Sequence, residues 1–151
     1  MTKIISPLLP GHLPEAGPVA FLHKSIVLLL HINDAVTIGD LQDKFSRCFP
    51  NLRVIFCRKK HNWEEICPEH MVLHDDNLQL RDIRRNHQQG LLELKSWFKV
   101  GEAEKAFENF GLHAQICFRS GKRWIQTGKM DNLTIHELQL QSHYERPSVL
   151  L

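Results

Sequence analysis

Between Cys57 and His74 the chain reads CRKKHNWEEICPEHMVLH, with Cys57, His61, Cys67, His70 and His74 spaced as C-x3-H-x5-C-x2-H-x3-H. Thiolate sulfur and imidazole nitrogen are the ligands of structural zinc, which takes four of them in a tetrahedron, often from two close pairs. Cys57 with His61 and Cys67 with His70 are the pairs on offer. The five residues between the pairs leave little chain to wrap a tetrahedron, so the favoured reading is a strand followed by a loop, with no metal. Cys57 is then a small buried hydrophobe. Cys67 and His70 could also be drawn as nucleophile and base, a role that requires a pocket lowering the thiol pKa.

A second group of residues pairs cations with aromatics. Arg58, Lys59 and Lys60 stand near Trp63, and Arg119, Lys122 and Arg123 stand beside Trp124; a third basic run holds Arg81, Arg84 and Arg85. Cations can grip a nucleic-acid backbone while an aromatic stacks a base. The net charge is only +2, from 19 Lys and Arg against 17 Asp and Glu. That is far below the strongly basic footprint of a nucleic-acid-binding domain. Nucleic acid is therefore the alternative partner and not the leading one. No phosphate-cradling glycine loop, dinucleotide fingerprint or nucleophile elbow is present, so no cofactor is expected. The adjacent pairs Glu64-Glu65 and Asp75-Asp76 point apart along the chain and read as solvated charges. The chain reads as non-enzymatic.

The elements that must carry these residues become visible when the chain is laid on itself. LLHINDAVTIGDLQDKF (29–45) matches LLELKSWFKVGEAEKAF (91–107) without a gap, pairing Leu29 with Leu91, Gly39 with Gly101 and Phe45 with Phe107. FPNLRVIFC then pairs with FGLHAQIC, Trp63 with Trp124, and DNLQLRDI (76–83) with DNLTIHEL (131–138). Four matches in one order make a tandem duplication. SIVLLLHI and GLLELKSWF have the short apolar character of strands. Ile38, Leu41, Phe45 and Cys48 fall at 3-4-3 spacing, as do Val100, Ala103, Phe107 and Phe110, each marking one face of a helix. Thr37 is the expected N-cap of the first helix, with Asp40 in its first turn. LRVIFC and LHAQICF read as strands, and Ser120-Gly121 as a tight hairpin turn. Asn77 and Thr134 stand where they could cap short helices. Each half is thus expected to be β-α-β-β-α. The two halves form one pseudo-symmetric α+β domain, because three strands alone enclose too little core.

The expected layout is an extended arm over residues 1–20 and a single duplicated domain over 21–144, its halves at 25–85 and 88–142. A loose tail occupies 145–151. Prolines at 7, 10, 14 and 18 interrupt any apolar leader, and SIVLLLHI is far shorter than a membrane span. The expectation is a cytoplasmic protein without a membrane partner, its four cysteines reduced. Partners are an unidentified protein or a second copy. Binding would use the cleft between halves or the exposed strand edges at 25–32 and 122–127.

VGEAEKAFENFGLHAQICFRSGKRWIQT, followed by DNLTIHE, resembles the C-terminal region of a family of small bacterial proteins. That family carries a pattern of the kind V-x-x-x-E-x-x-F-x-x-x-F-G-L-x-V-Q-V-F-R-x-S-G-x-x-W-x-x-T. The resemblance covers residues 25–140 and is best from Val100 to Thr127, with departures at Ala114 and Ile116. It implies a bacterial origin and no activity.

Overall fold

The computed structural model describes residues 25–62 and 64–149, with side chains as far as residue 142. In chain order the elements are β1 (Val27–Ile32), α1 (Ile38–Cys48), β2 (Leu52–Cys57), a 3-10 turn (Glu69–Met71) and α2 (Leu80–Ile83). There follow β3 (Gly90–Lys95), α3 (Val100–Glu108), β4 (His113–Ser120), β5 (Arg123–Gln126), a second 3-10 turn (Gly128–Met130) and α4 (Ile135–Val149). β1 and β3 make an antiparallel two-stranded ribbon, and β2, β4 and β5 make an antiparallel sheet with β4 in the middle. Helices with antiparallel sheets give an α+β architecture, as expected. No helix among the described residues is long and apolar enough to cross a membrane.

The alternation of β1 and β3 decides how the ribbon sits. Leu30, Ile32, Leu92 and Leu94 are buried, while their neighbours face outward, the period of a half-covered strand. Leu30 lies opposite Leu92 at the centre of the pairing. In α1 the residues Ile38, Leu41 and Phe45 are the buried stripe, and the Thr37 hydroxyl accepts the Asp40 N–H at 3.2 Å to cap the helix. Val100, Ala103 and Phe107 are the same stripe in α3. Phe107 meets Phe56 of β2 edge-on with ring centroids 5.5 Å apart, which ties α3 to the larger sheet. Gly111 ends the α3 segment at φ +79°, a left-handed conformation open to glycine, and a Cβ there would come within 3.1 Å of the Asn86 Cβ. In the β4–β5 hairpin, Gly121 takes φ +62° at the first central position, the arrangement of a type II′ turn.

Several expectations are corrected. Among the described residues, the segment after β2 forms no further strand, so the expected β-α-β-β-α plan of residues 25–85 is not met. Val72 makes only a single bridge to Cys57, because the loop arrives there through Pro68 and the 3-10 turn. Gln79, not Asn77, is the N-cap of α2, whereas Thr134 does cap α4, accepting the Glu137 N–H at 3.0 Å. Residues 145–149, expected in a loose tail, continue α4 to Val149. The arm at 1–20 lies outside the described residues.

The cysteines are the largest correction. Cys57 and Cys67 form a disulfide, with Cα atoms 6.0 Å apart, while Cys48 and Cys117 are free. Cys57 is buried as expected, in a small apolar cluster with Ile55, Cys67, Val72 and Cys117, but it is neither reduced nor alone. The loop folds back onto the end of β2 through Arg58 N–H to Met71 O at 2.8 Å and Leu73 N–H to Phe56 O at 2.9 Å. That return brings Cys67 against Cys57. Closing a loop of sequence separation 10 restricts the unfolded chain by about 2–3 kcal/mol. Chemical denaturation with and without reductant should therefore differ by that amount in unfolding free energy. Identical midpoints would mean the bond contributes nothing to the fold.

Candidate functional site

The first turn of α3 is docked by two backbone bonds, Val100 N–H to Leu133 O at 2.7 Å and Gly101 N–H to Asp131 O at 3.0 Å. These bonds set Asp131 beside the start of the helix. Glu104 follows Gly101 by three residues, so it shares that face. The loop after β2 crosses above, held by His61 Nε2 at 2.9 Å from Ala114 O and by Glu64 N–H donating to Asp131 Oδ2 at 2.7 Å. A cavity of about 170 Å³ remains, lined by Lys60, His61, Glu104, Glu108, His113 and Asp131 among others.

Two carboxyls are sunk into this place, Glu104 at 7% exposure and Asp131 at 1%. Glu104 Oε2 accepts from Ile116 N–H at 2.8 Å and from Gln115 Nε2 at 3.1 Å; that amide also donates to Thr127 Oγ1 at 2.8 Å. Burial pushes the Glu104 carboxyl up to about 9, against the pull of the Ile116 N–H, and the charge of Asp131 adds to the rise. Burial also raises Asp131, while the Glu64 N–H opposes it. The protonated Glu104 side chain hydrogen-bonds the Asp131 carboxylate, which works against the rise of Asp131, and His113 Nδ1 is buried without a partner among the described residues. Burial holds the His113 imidazole below its ordinary value, so it favours the neutral ring. At the rim, Lys60 Nζ is 3.5 Å from Glu108. The arrangement holds a proton on Glu104 in a hydrogen bond to the Asp131 carboxylate.

A second hollow lies beside α1. Ile38 N–H bonds Leu78 O and Gly39 N–H bonds Asp76 O, both at 2.9 Å. The Gln42 amide donates to Val54 O at 3.0 Å. This hollow is larger, about 590 Å³, and is lined by Gln42, Arg53, Glu69, His74, Asp76 and Trp124 among others.

The sequence candidates are dispersed by the fold. The disulfide occupies the sulfurs of Cys57 and Cys67. His61 lies in the carboxyl cavity, His70 is exposed, and His74 pairs at the surface with Glu69 at 2.9 Å. No group of three or more His, Cys, Asp or Glu among the described residues is arranged to hold a metal ion. Arg58, Lys59 and Lys60 are exposed past the end of β2, beside His113, whereas Arg119, Lys122 and Arg123 surround the hairpin at the far end of β4. The six residue pairs of the β2–β4 ladder separate the clusters by roughly 17 Å at about 3.3 Å per residue. Trp124 has Arg53 at 4.9 Å and Arg119 at 5.7 Å from its ring centroid, so the protein's own cations already lie against it. Trp63 lies outside the described residues.

Glu104 and Asp131 escaped the sequence reading. The signal for Glu104 is its place between Val100 and Phe107 on the stripe of α3 that must face inward. For Asp131 it is the recurrence of an Asp-Asn-Leu triplet at 76 and 131, whose aspartate begins the backbone dock of each helix.

The outer face of the ribbon carries exposed apolar side chains. Val27, Leu29 and Leu91 are 46%, 49% and 50% exposed, and Trp97 just beyond β3 is 50% exposed. Glu93 and Lys95 share this face at 3.5 Å, and Lys95 reaches over Trp97 at 5.4 Å. Comparison with family models, with curated proteins and with solved structures finds no match for this α+β chain.

Proposed function

We propose that the chain is a non-enzymatic, self-associating binding module made of two tandem copies of one unit, and that two chains meet through the outer face of the β1–β3 ribbon. The observation that carries this reading is the cluster of half-exposed Val27, Leu29 and Leu91 on a ribbon whose two outer edges have no partner strand among the described residues. A two-stranded ribbon gains strands or a covering layer from a neighbour.

A second copy fits this face better than a charged partner does. The face carries Glu93 of one sign and Lys95 of the other, with His31 beside them. A copy turned against it brings opposite charges together while the leucines meet leucines, the isologous arrangement of most homodimers.

The tandem origin is supported by bonds that recur at matched positions. Ile38 to Leu78, Gly39 to Asp76, Leu80 to Val36 and Arg81 to Asp34 in the first half have counterparts in the second. The counterparts are Val100 to Leu133, Gly101 to Asp131, Ile135 to Phe98 and His136 to Ser96. The bridges Thr37–Gln79 and Lys99–Thr134 correspond too. Leu30 lies opposite its sequence counterpart Leu92, and Ile55 opposite Gln115, registers that a pseudo-two-fold relation between the halves calls for.

Sedimentation velocity tests the interface. The wild-type chain is expected as a dimer at micromolar concentration. Leu29→Asp, at an exposed position that leaves the core intact, should weaken the dimer by about 30-fold or more, the effect of losing a central contact. A monomeric wild type, or a Leu29→Asp protein that dimerises as well as the parent, would sink the reading.

A further inference from the structure

We propose that the Cys57–Cys67 disulfide is a redox latch on the strap at 64–72, and that its reduction lets the strap lift from the outer face of the β2–β4–β5 sheet and uncovers the Cys117 thiol. The latch lies apart from the ribbon face and does not depend on self-association.

The strap has little else to hold it down. From Glu64 to His70 every residue is exposed except Cys67, which is 1% exposed. Burial therefore fastens this stretch at a single point. The hydrogen bonds that hold Cys67 to the sheet come from Gln126 of β5, whose Oε1 accepts the Cys67 N–H at 2.6 Å and whose Nε2 donates to Cys67 O at 2.8 Å. The two ends are anchored separately, Glu64 by its bond to Asp131, and Met71 and Val72 by their return to β2.

Beneath the latch lies a thiol. Cys117 is on the middle strand, opposite Arg53 of β2 and opposite Gln126 of β5, the residue that clasps the strap. It is 2% exposed and packs in one cluster with Ile55, Cys57, Cys67 and Val72. The hollow of about 590 Å³ has Cys117 and Gln126 of the sheet and Glu69 and Val72 of the strap in its wall. Lifting Cys67 opens the cluster toward that space.

The covered thiol leaves the bridge intact. Burial pushes Cys117 up to about 12 against the pull of the Arg53 guanidinium, so it stays protonated and is a poor nucleophile toward the disulfide beside it. Unlatching takes a dithiol from outside. One of its thiolates attacks a bridge sulfur, and its second thiol resolves the mixed disulfide. Cys57 and Cys67 become thiols, and the dithiol closes into its own disulfide.

The test compares the full-length chain before and after reduction with dithiothreitol, removed under argon. Each form is pulsed with iodoacetamide, and alkylation of each cysteine is read by peptide mass spectrometry. The ring closed by the bridge resists lifting by the restriction it places on the open chain. Reduction should therefore speed Cys117 alkylation by about 30-fold or more. Cys48, which packs against the main core, should keep its rate. Gln126→Leu removes the remaining clasp and should speed Cys117 by about a further fivefold in the reduced chain, with little change in the oxidised one. Equal Cys117 rates in the two forms would overturn the latch. So would a Cys48 rate that rises in step with Cys117, because reduction would then loosen the whole fold, and so would a reduced Gln126→Leu protein no faster than its parent. Should that variant fail to fold, the Cys117 and Cys48 rates of the wild type decide alone.

Discussion

Arg84→Met should lower the unfolding free energy by about 2–4 kcal/mol, the cost of leaving two backbone carbonyls without the buried donor that bound them. The Arg84 side chain is fully enclosed. Its Nη2 donates to Asp34 Oδ1 at 2.9 Å, and its Nη1 donates to Gln88 O at 2.8 Å and to Phe110 O at 2.9 Å. One planar guanidinium thereby joins the turn after β1, the segment before β3 and the end of α3. The Arg84 hydrogen bond is the main reason the Asp34 carboxyl sits below the usual carboxylate range, with His87 contributing through its own contact at 2.8 Å. Methionine matches much of the volume but strands three acceptors, two of them backbone carbonyls. Arg84→Lys should recover only part of the loss, because a single ammonium cannot span the fork that reaches all three. Urea denaturation of the two variants reads the difference. Loss below about 0.5 kcal/mol would mean that Arg84 behaves like an ordinary surface cation.

Arg84 also marks where sequence stops informing. Arg84 and Arg85 are adjacent and chemically identical, yet the first is buried and the second exposed; the difference lies in whether carbonyls from distant segments converge on one side of the chain. Local signals read well. Thr37 caps a helix because its hydroxyl needs only the N–H three residues on, and Gly111 and Gly121 take left-handed backbone that a glycine adopts at no steric cost. The apolar stripes of α1 and α3 are equally local, being a matter of helical period. The disulfide was not legible, because Cys57 and Cys67 meet only after the loop between them turns back on β2. Nor was the absence of a strand at 71–73, since that segment returns to β2 but secures a single bridge there. Glu104 is the intermediate case. Its inward position follows from period alone, but the partners that make a buried carboxyl tolerable come from β4 and from Asp131.

Glu104→Gln should raise stability by about 4–5 kcal/mol at pH 8 and by less than about 1 kcal/mol at pH 5. An unfolded chain releases the Glu104 proton near the ordinary value of 4.5, whereas the folded protein keeps it to about 9. The folded state therefore binds more protons than the unfolded state between those limits. Stability from this group is complete below about pH 4.5 and declines as pH rises toward 9, by up to about 1.4 kcal/mol per unit. Asp131, also raised by burial, acts in the same direction. The lowered Asp34 and His113 act oppositely, contributing stability above their unfolded values of 3.8 and 6.5 that is lost as pH falls. Cys117, pushed up to about 12 by burial from 9.0, adds its own decline above pH 9, so the comparison belongs between pH 5 and 8.5. A glutamine in this place keeps an oxygen for the Ile116 N–H and Gln115, and its amide can donate to the Asp131 carboxylate as the Glu104 proton does. The variant is thus expected to lose the alkaline slope and exchange no hydrogen bond for an orphan. Urea denaturation across that pH range gives the slopes directly. Parallel curves for wild type and variant would mean that Glu104 is ionised in the folded protein, and that its negative charge is tolerated beside Asp131 without a raised proton affinity.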